Sequence, residues 1–269
     1  MSITNYATNM PYKCPKCSYS RSWSLRRNKR KCKKCRCEFS PRIYFTESIR
    51  STEKEWKDCI RVFLRERTIS RVSSSTSIGH CRVERMLSYL RECMSKEIPN
   101  KFKGPVELDE TYIGGQRKNK KLHIRRFKAK RGHGTDKIPI VGLFDRSSKK
   151  IYVEIIPKLD IDRIFEITKD LVAPRSSIYT DGYKMYRGFP RHGYFHEFVD
   201  HDDGEYVRGS IHTNNIEGFW GILKRKLGCI GGIRRKHMSL FIAEIVWKFN
   251  HRNEPLDVQE SKLLQLLKS

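Results

Sequence analysis

The apolar positions change their spacing twice along the chain. Between residues 51 and 99 they recur at helical intervals. Trp56, Ile60, Phe63 and Leu64 mark one helix, opened by Ser51 or Thr52 with Glu55 close behind. Ile69 and Val72 mark a short second helix, and Val83, Met86, Leu87, Leu90 and Met94 a third. Serines 73–75 and Gly79 predict a turn between them. Two short helices, a small-residue turn and a basic third helix (Arg82, Arg85, Arg91) fit a helix-turn-helix, with a plain helical linker as the alternative. Beyond Pro99, Gly104 and Pro105, a boundary signal, the spacing becomes that of strands: 105–109, 139–144, 150–156, 177–180 and 194–199. The second and third join as a hairpin at Asp145-Arg-Ser-Ser. Helical spacing returns at 161–172, closed by Pro174, and again at 211–227 and 238–250. This order predicts a mixed sheet flanked by helices, α/β or α+β. The expected domains are 1–50, 51–99 and 100–269.

Charge changes the picture from a generic fold to a polyanion-binding one. The 269 residues carry 56 Lys and Arg against 30 Asp and Glu, a net +26 spread through most of the chain. That spread disfavours a membrane-surface role, which needs the charge on one amphipathic segment. No apolar run approaches the ~20 residues that span a bilayer, and the N-terminal segment lacks a signal peptide's apolar core. The expectation is a soluble, intracellular, DNA-associated protein: in the cytoplasm or nucleoid of a prokaryote, or the nucleus of a eukaryote. Residues 117–137 hold ten Lys or Arg with only Asp136 against them, a mobile loop or a DNA-contacting arm through Arg125, Arg126 and Lys128.

Four of the nine cysteines form two CxxC knuckles, Cys14-Pro-Lys-Cys17 and Cys32-Lys-Lys-Cys35. That spacing folds four thiolates into a tetrahedron suited to one structural Zn²⁺. Cys37 is a surplus thiol beside the second knuckle. Around the knuckles, Arg26, Arg27, Lys29 and Arg30 are candidate phosphate contacts. Trp23 and Phe39 are expected to pack the module, with base stacking as the alternative for either. Cys59, Cys81 and Cys93 read as core thiols.

The candidate catalytic groups are acids. Asp109 and Asp181 end strands, and Glu217 lies on the helix at 211–227, with Lys224 seven residues later on nearly the same face. Each also has an ordinary reading. Asp109 and Asp181-Gly182 suit turns, Glu217 could answer Asn214 in a capping box, and Lys224 could be a solvated cation. Together, three hard-oxygen ligands in a basic chain suit two Mg²⁺ or Mn²⁺ ions and phosphodiester chemistry. No Ser, Tyr or Cys has an adjacent base that would mark a covalent nucleophile. His212 could face the site or serve as an ordinary capping or surface residue.

The blocks Leu-Asp109-Glu110-Thr-Tyr-Ile-Gly-Gly, Ile-Pro-Ile-Val-Gly-Leu-Phe-Asp-Arg, Tyr-Thr-Asp181-Gly-Tyr and Asn214-Asn-Ile-Glu217-Gly-Phe-Trp-Gly-Ile-Leu-Lys224-Arg, in that order, resemble one family. It is the insertion-sequence DDE transposases related to the Merlin elements, and the resemblance runs from about Cys14 to Arg252. It implies an N-terminal zinc ribbon, a helix-turn-helix and an RNase H-like catalytic domain. In that domain Asp109, Asp181 and Glu217 match the metal-binding acids, and Lys224 matches a lysine seven residues after the third. The partners implied are double-stranded DNA, as terminal inverted repeats and as target, and a second copy in a dimer or higher synaptic assembly. The activity implied is hydrolysis at the element's ends followed by attack of the freed 3′-OH on target DNA. Two other readings are a catalytically silent DNA-binding regulator and an RNase H-like nuclease without strand transfer.

Overall fold

The computed structural model describes residues 13–26, 29–39, 46, 49–65, 68–114, 137–181, 184–199, 212–230 and 233–268. Its contacts divide the chain into two units, 1–58 and 59–269.

In the first unit, three short antiparallel strands lie in the order β1 (Ser22–Ser24), β2 (Arg30–Cys32) and β3 (Glu38–Phe39). Trp23 is 44% exposed, with the Lys33 ammonium 5.7 Å from its ring centre, so it does not pack the module as expected. A module this small gains little from apolar burial and needs its knuckles to hold it. At the start of α1 (Glu53–Arg65), the Thr52 N–H donates to the Glu55 carboxylate at 2.8 Å, and the Glu55 N–H donates back to the Thr52 hydroxyl at 3.2 Å. This is the capping box read from the sequence.

The second unit continues with α2 (Ile69–Ser75) and α3 (His80–Lys96). The Thr68 hydroxyl caps α2, and the Ser73 hydroxyl donates to the Ile78 carbonyl across the turn at 2.9 Å. Val83, Met86, Leu87 and Leu90 of α3 are buried at helical spacing, while Arg82 and Arg85 are exposed. Cys59 and Cys93 are buried thiols, but Cys81 is exposed. It lies two residues before Val83, about 200° around the helix, on the side away from the core.

The sheet follows: β4 (Val106–Ile113), β5 (Ile138–Asp145), β6 (Lys150–Ile155), β7 (Ser177–Asp181) and β8 (Phe195–Val199), in the spatial order β6-β5-β4-β7-β8. β5 runs antiparallel to both of its neighbours, whereas β4, β7 and β8 are mutually parallel. The Asp145 carboxylate closes the β5–β6 hairpin by accepting the backbone N–H groups of Ser147 and Ser148, both at 3.2 Å. Helix α4 (Ile161–Leu171) and a 3₁₀ segment (Lys184–His192) cover one face, burying Leu108, Val141, Ile167, Tyr186 and Phe189. Helices α5 (Asn214–Ile230) and α6 (Met238–Asn250) cover the other, against Ile140 and Phe144. The result is the expected mixed α/β class, a five-stranded mixed sheet with helices on both faces.

α3 packs along α6 through a buried charge cluster. The Arg91 guanidinium donates to Glu244 at 2.7 Å and lies 4.2 Å over the Phe241 ring, and the Lys248 ammonium donates to the same carboxylate at 3.0 Å. Arg91, one of the basic residues read as part of a DNA-facing helix, is therefore an interior group. The helix α7 (Leu256–Leu266) and the 3₁₀ segment were not foreseen. No helix among the described residues is long and apolar enough to cross a membrane.

Candidate functional site

In the first unit, the two knuckles have the same geometry. After each CxxC the next residue, Ser18 or Arg36, adopts a left-handed φ of 55° or 59°. Its N–H then returns to the carbonyl of the first cysteine, at 2.8 Å to Cys14 and 3.1 Å to Cys32. The turns draw Cys14 Sγ to 3.4 Å from Cys35 Sγ, and Cys17 Sγ to 3.5 Å from Cys32 Sγ. All four sulfurs lie within 4.8 Å of one another. Tetrahedral Zn–S bonds of about 2.3 Å require S···S separations of about 3.8 Å, so the four residues fit one Zn²⁺. Cys37 stands outside this group; its thiol reaches the Glu38 carbonyl at 3.7 Å.

In the second unit, strand register brings the first two acids together. Glu107 of β4 pairs with Tyr179 of β7 in the parallel ladder, and two residues further along each strand come Asp109 and Asp181. With a side-chain period of two, both carboxylates stand on the face covered by α5. Asp109 also pairs with Gly142 of β5, where an added Cβ would come 2.6 Å from the Trp220 ring. Only a residue without a side chain lets the indole lie this low, and its Nε1–H donates to Asp109 at 2.9 Å. Glu217 is three residues before Trp220, one turn earlier on the same helix.

Burial comes first among the influences on Asp109, followed by the negative charges of Glu110 and Asp181. Against the pull of the Trp220 N–H, they push its carboxyl up from an ordinary 3.8 to about 7. A buried carboxyl raised by neighbouring carboxylates is the electrostatic setting that a divalent cation reverses, and the donors are the hard oxygens that Mg²⁺ or Mn²⁺ prefers. The three acids are less tightly grouped than the thiols. Among the described residues, only the four cysteines have their donor atoms all within 4.8 Å of one another.

Glu110 points to the opposite face, where it accepts a hydrogen bond from the buried Tyr186 hydroxyl. Glu217 is exposed and accepts from the Thr213 hydroxyl at 3.0 Å. Lys224 is exposed two turns along α5. His212 precedes the helix: its Nδ1 lies 3.4 Å from the Asn214 N–H and 3.0 Å from Arg146 Nη2, a capping position. Arg26, Lys29, Arg82 and Arg85 are exposed, and Arg30 donates to the Ser22 hydroxyl at 2.9 Å. Arg27, Gly182, Arg125, Arg126 and Lys128 lie outside the described residues.

Sequence reasoning missed Glu107. It is fully buried, and its carboxylate accepts the backbone N–H groups of Asn215 and Ile216, both at 3.0 Å, and Arg146 Nε at 2.6 Å. The signal was present: Val-Glu-Leu-Asp alternates with period two, so Glu107 shares the face of Asp109.

Residues 101–250 match the family described as "ISXO2-like transposase domain". The chain is 27% identical over 198 residues to an uncharacterized protein in transposable element ISH50 of Halobacterium salinarum, covering 70% of this chain and 67% of that one. It is 29% identical over 119 residues to an uncharacterized transposase-like protein of Haemophilus influenzae, covering 44% of this chain and 94% of that one. Among solved structures, it resembles distantly the HTLV-2 integrase catalytic core domain in complex with magnesium. The TM-score is 0.32 and the identity 12%, over 55% of this chain and 85% of that chain.

Proposed function

Because the chain belongs to the ISXO2-like transposase family, we propose that it cleaves the ends of its element and joins the freed 3′-OH to target DNA, with Asp109, Asp181 and Glu217 as the metal-holding acids. The observation that carries this reading is that Asp109 and Asp181 each lie two residues past the paired Glu107 and Tyr179, on the sheet face beneath the helix that bears Glu217. A pair of Mg²⁺ or Mn²⁺ ions there would activate the attacking oxygen and stabilise the leaving one. Asp109 and Asp181, on rigid strands, would hold that centre at a constant spacing, and Glu217 would close it from the helix. Asp109 must give up its proton to do so, because only the carboxylate is a ligand. Trp220 keeps the Asp109 carboxylate oriented from the buried side. Lys224, on the exposed side of α5, would hold a DNA phosphate near the scissile bond. The four cysteines would hold one structural Zn²⁺. Arg26, Arg27, Lys29, Arg30, Arg82 and Arg85 would bind the terminal repeats, and the basic segment with Arg125, Arg126 and Lys128 would add phosphate contacts. In the same reading, 1–50, 51–99 and 100–269 divide the work between ribbon, helix-turn-helix and catalysis, and two copies meet at synapsis.

The test is a cleavage and joining assay on an element end, run beside a gel shift. Asp109→Asn, Asp181→Asn and Glu217→Gln are each expected to abolish Mg²⁺-dependent cleavage with DNA binding retained. Each removes a ligand charge at nearly constant shape. Lys224→Ala is expected to lose about 10–1000-fold in rate, the scale of one charge-assisted contact in the transition state. Parental cleavage by Glu217→Gln would reduce Glu217 to a helix-start residue. Cleavage without joining from a pre-cleaved end would make the protein a nuclease instead.

A further inference from the structure

We propose that the pair formed by buried Glu107 and partly exposed Arg146 is a positioning device that sets where Glu217 stands relative to Asp109 and Asp181. The inference rests on the catalytic reading above, but its residues are distinct from the metal-holding acids.

The pair ties together the three elements that carry the acids. Glu107 belongs to β4, two residues before Asp109 and on the same face. One carboxylate oxygen accepts Arg146 Nε and Asn215 Nδ2, both at 2.6 Å, and the other accepts the N–H groups of Asn215 and Ile216. These are first-turn donors of α5, and Glu217 is the next residue. Arg146 extends the tie: it donates to the His212 carbonyl just before α5, and its guanidinium lies 4.4 Å over the ring of Tyr179, two residues before Asp181 on β7.

A helix start has cheaper solutions than this. A local Ser, Thr, Asp or Asn normally caps the first turn from within the helix's own chain. Here Thr213 occupies that place, yet its hydroxyl donates to Glu217, and the orphan N–H groups are served by a carboxylate from the sheet. Burying the Glu107 carboxylate costs several kcal/mol of desolvation, which its attraction to the partly exposed Arg146 only offsets, so the pair adds little net stability over an apolar replacement. What it does provide is register. The first turn of α5 is fixed to the sheet by hydrogen bonds, which tolerate less displacement than apolar contact does. Catalysis by positioned ligands is sensitive on that scale, with about 1 Å of misplacement costing about 100-fold in rate.

The experiment compares full-length parent, Glu107→Gln, Arg146→Lys and Asn215→Ala. Four readings are taken on each: thermal melting, gel shift with an element end in the absence of added Mg²⁺, Mn²⁺ affinity from the spin-resonance signal of free Mn²⁺, and Mg²⁺-dependent cleavage well below the melting point. In Glu107→Gln, Mn²⁺ affinity is expected to fall about 10-fold and cleavage about 10–100-fold, with end binding unchanged. Asn215→Ala and Arg146→Lys keep the carboxylate and are expected to show smaller losses in the same two readings. Should Glu107→Gln fail to fold, those two variants decide by the same measures. Lower melting with parental Mn²⁺ affinity and cleavage would overturn the proposal and leave the pair a purely stabilising cap. If the parent itself neither binds Mn²⁺ nor cleaves, it is the catalytic reading that fails, and the positioning role falls with it.

Discussion

At the scale of single residues, Asp109 is held in a condition it would not choose in water. Unfolded, it ionises near 3.8; folded and without a divalent ion, burial and two neighbouring acids move that to about 7. Between these values the folded state keeps a proton that the unfolded state has released. Stability therefore falls as pH rises from about 4 to about 7, and is level above that. Asp109→Asn removes the titration while keeping an acceptor for Trp220. Without added Mg²⁺, and with Zn²⁺ left in place, the variant is expected to melt several degrees higher than the parent at pH 8. The two should converge toward pH 4. Added Mg²⁺ should raise the parent's melting temperature and leave the variant's unchanged. Equal melting of the two proteins at pH 8 would mean that the carboxyl is not penalised, contrary to its burial beside Glu110 and Asp181.

At the scale of elements, the knuckles show how little chain is needed once a metal is available. Ser18 and Arg36 both hold a left-handed backbone that costs non-glycine residues about 1–2 kcal/mol each. Apolar packing offers little to offset that, since Trp23 is 44% exposed and the strands span two or three residues. Zinc coordination is the term large enough, at about 10–16 kcal/mol in small zinc modules. Purified protein should carry about one zinc, and Cys14→Ser or Cys32→Ser should lower it. Chelation should abolish end binding before it affects the melting of the unit from 59 to 269. Full zinc occupancy in the double variant Cys14→Ser, Cys32→Ser would remove the assignment.

At the scale of the whole molecule, the net charge of +26 makes association with DNA strongly salt-dependent, because each phosphate neutralised releases a counterion. Replacing Arg125, Arg126 and Lys128 by Gln is expected to flatten the salt slope equally on specific and random DNA. If residues 51–99 act as the proposed helix-turn-helix, Arg82→Ala or Arg85→Ala should weaken binding to element ends selectively, since the recognition helix of that motif reads base edges. Selective loss of end recognition from the Arg125, Arg126 and Lys128 substitutions would reverse that division of labour.

Much of this was readable in order along the chain. The helices at 53–65, 80–96 and 238–250, the β5–β6 hairpin and the four knuckle thiols are local patterns, set by periodicity, turn chemistry and ligand spacing. The acids Asp109, Asp181 and Glu217 could be picked out as one candidate set, but not the geometry that relates them, because residues 72 and 36 apart in sequence are placed only by strand register and helix docking. Arg91 shows the limit from the other side. On its helix it looks like one more basic residue, and only the packing of α3 on α6 turns it into the buried partner of Glu244, 153 residues away. Glu107 is the sharpest case: in sequence it is one polar residue in an alternating strand, and its bonds to Asn215 and Ile216 span more than 100 residues. Periodicity determines which face a side chain occupies. What waits on that face is decided by tertiary structure alone, because buried polar groups take their partners from whatever element packs over them.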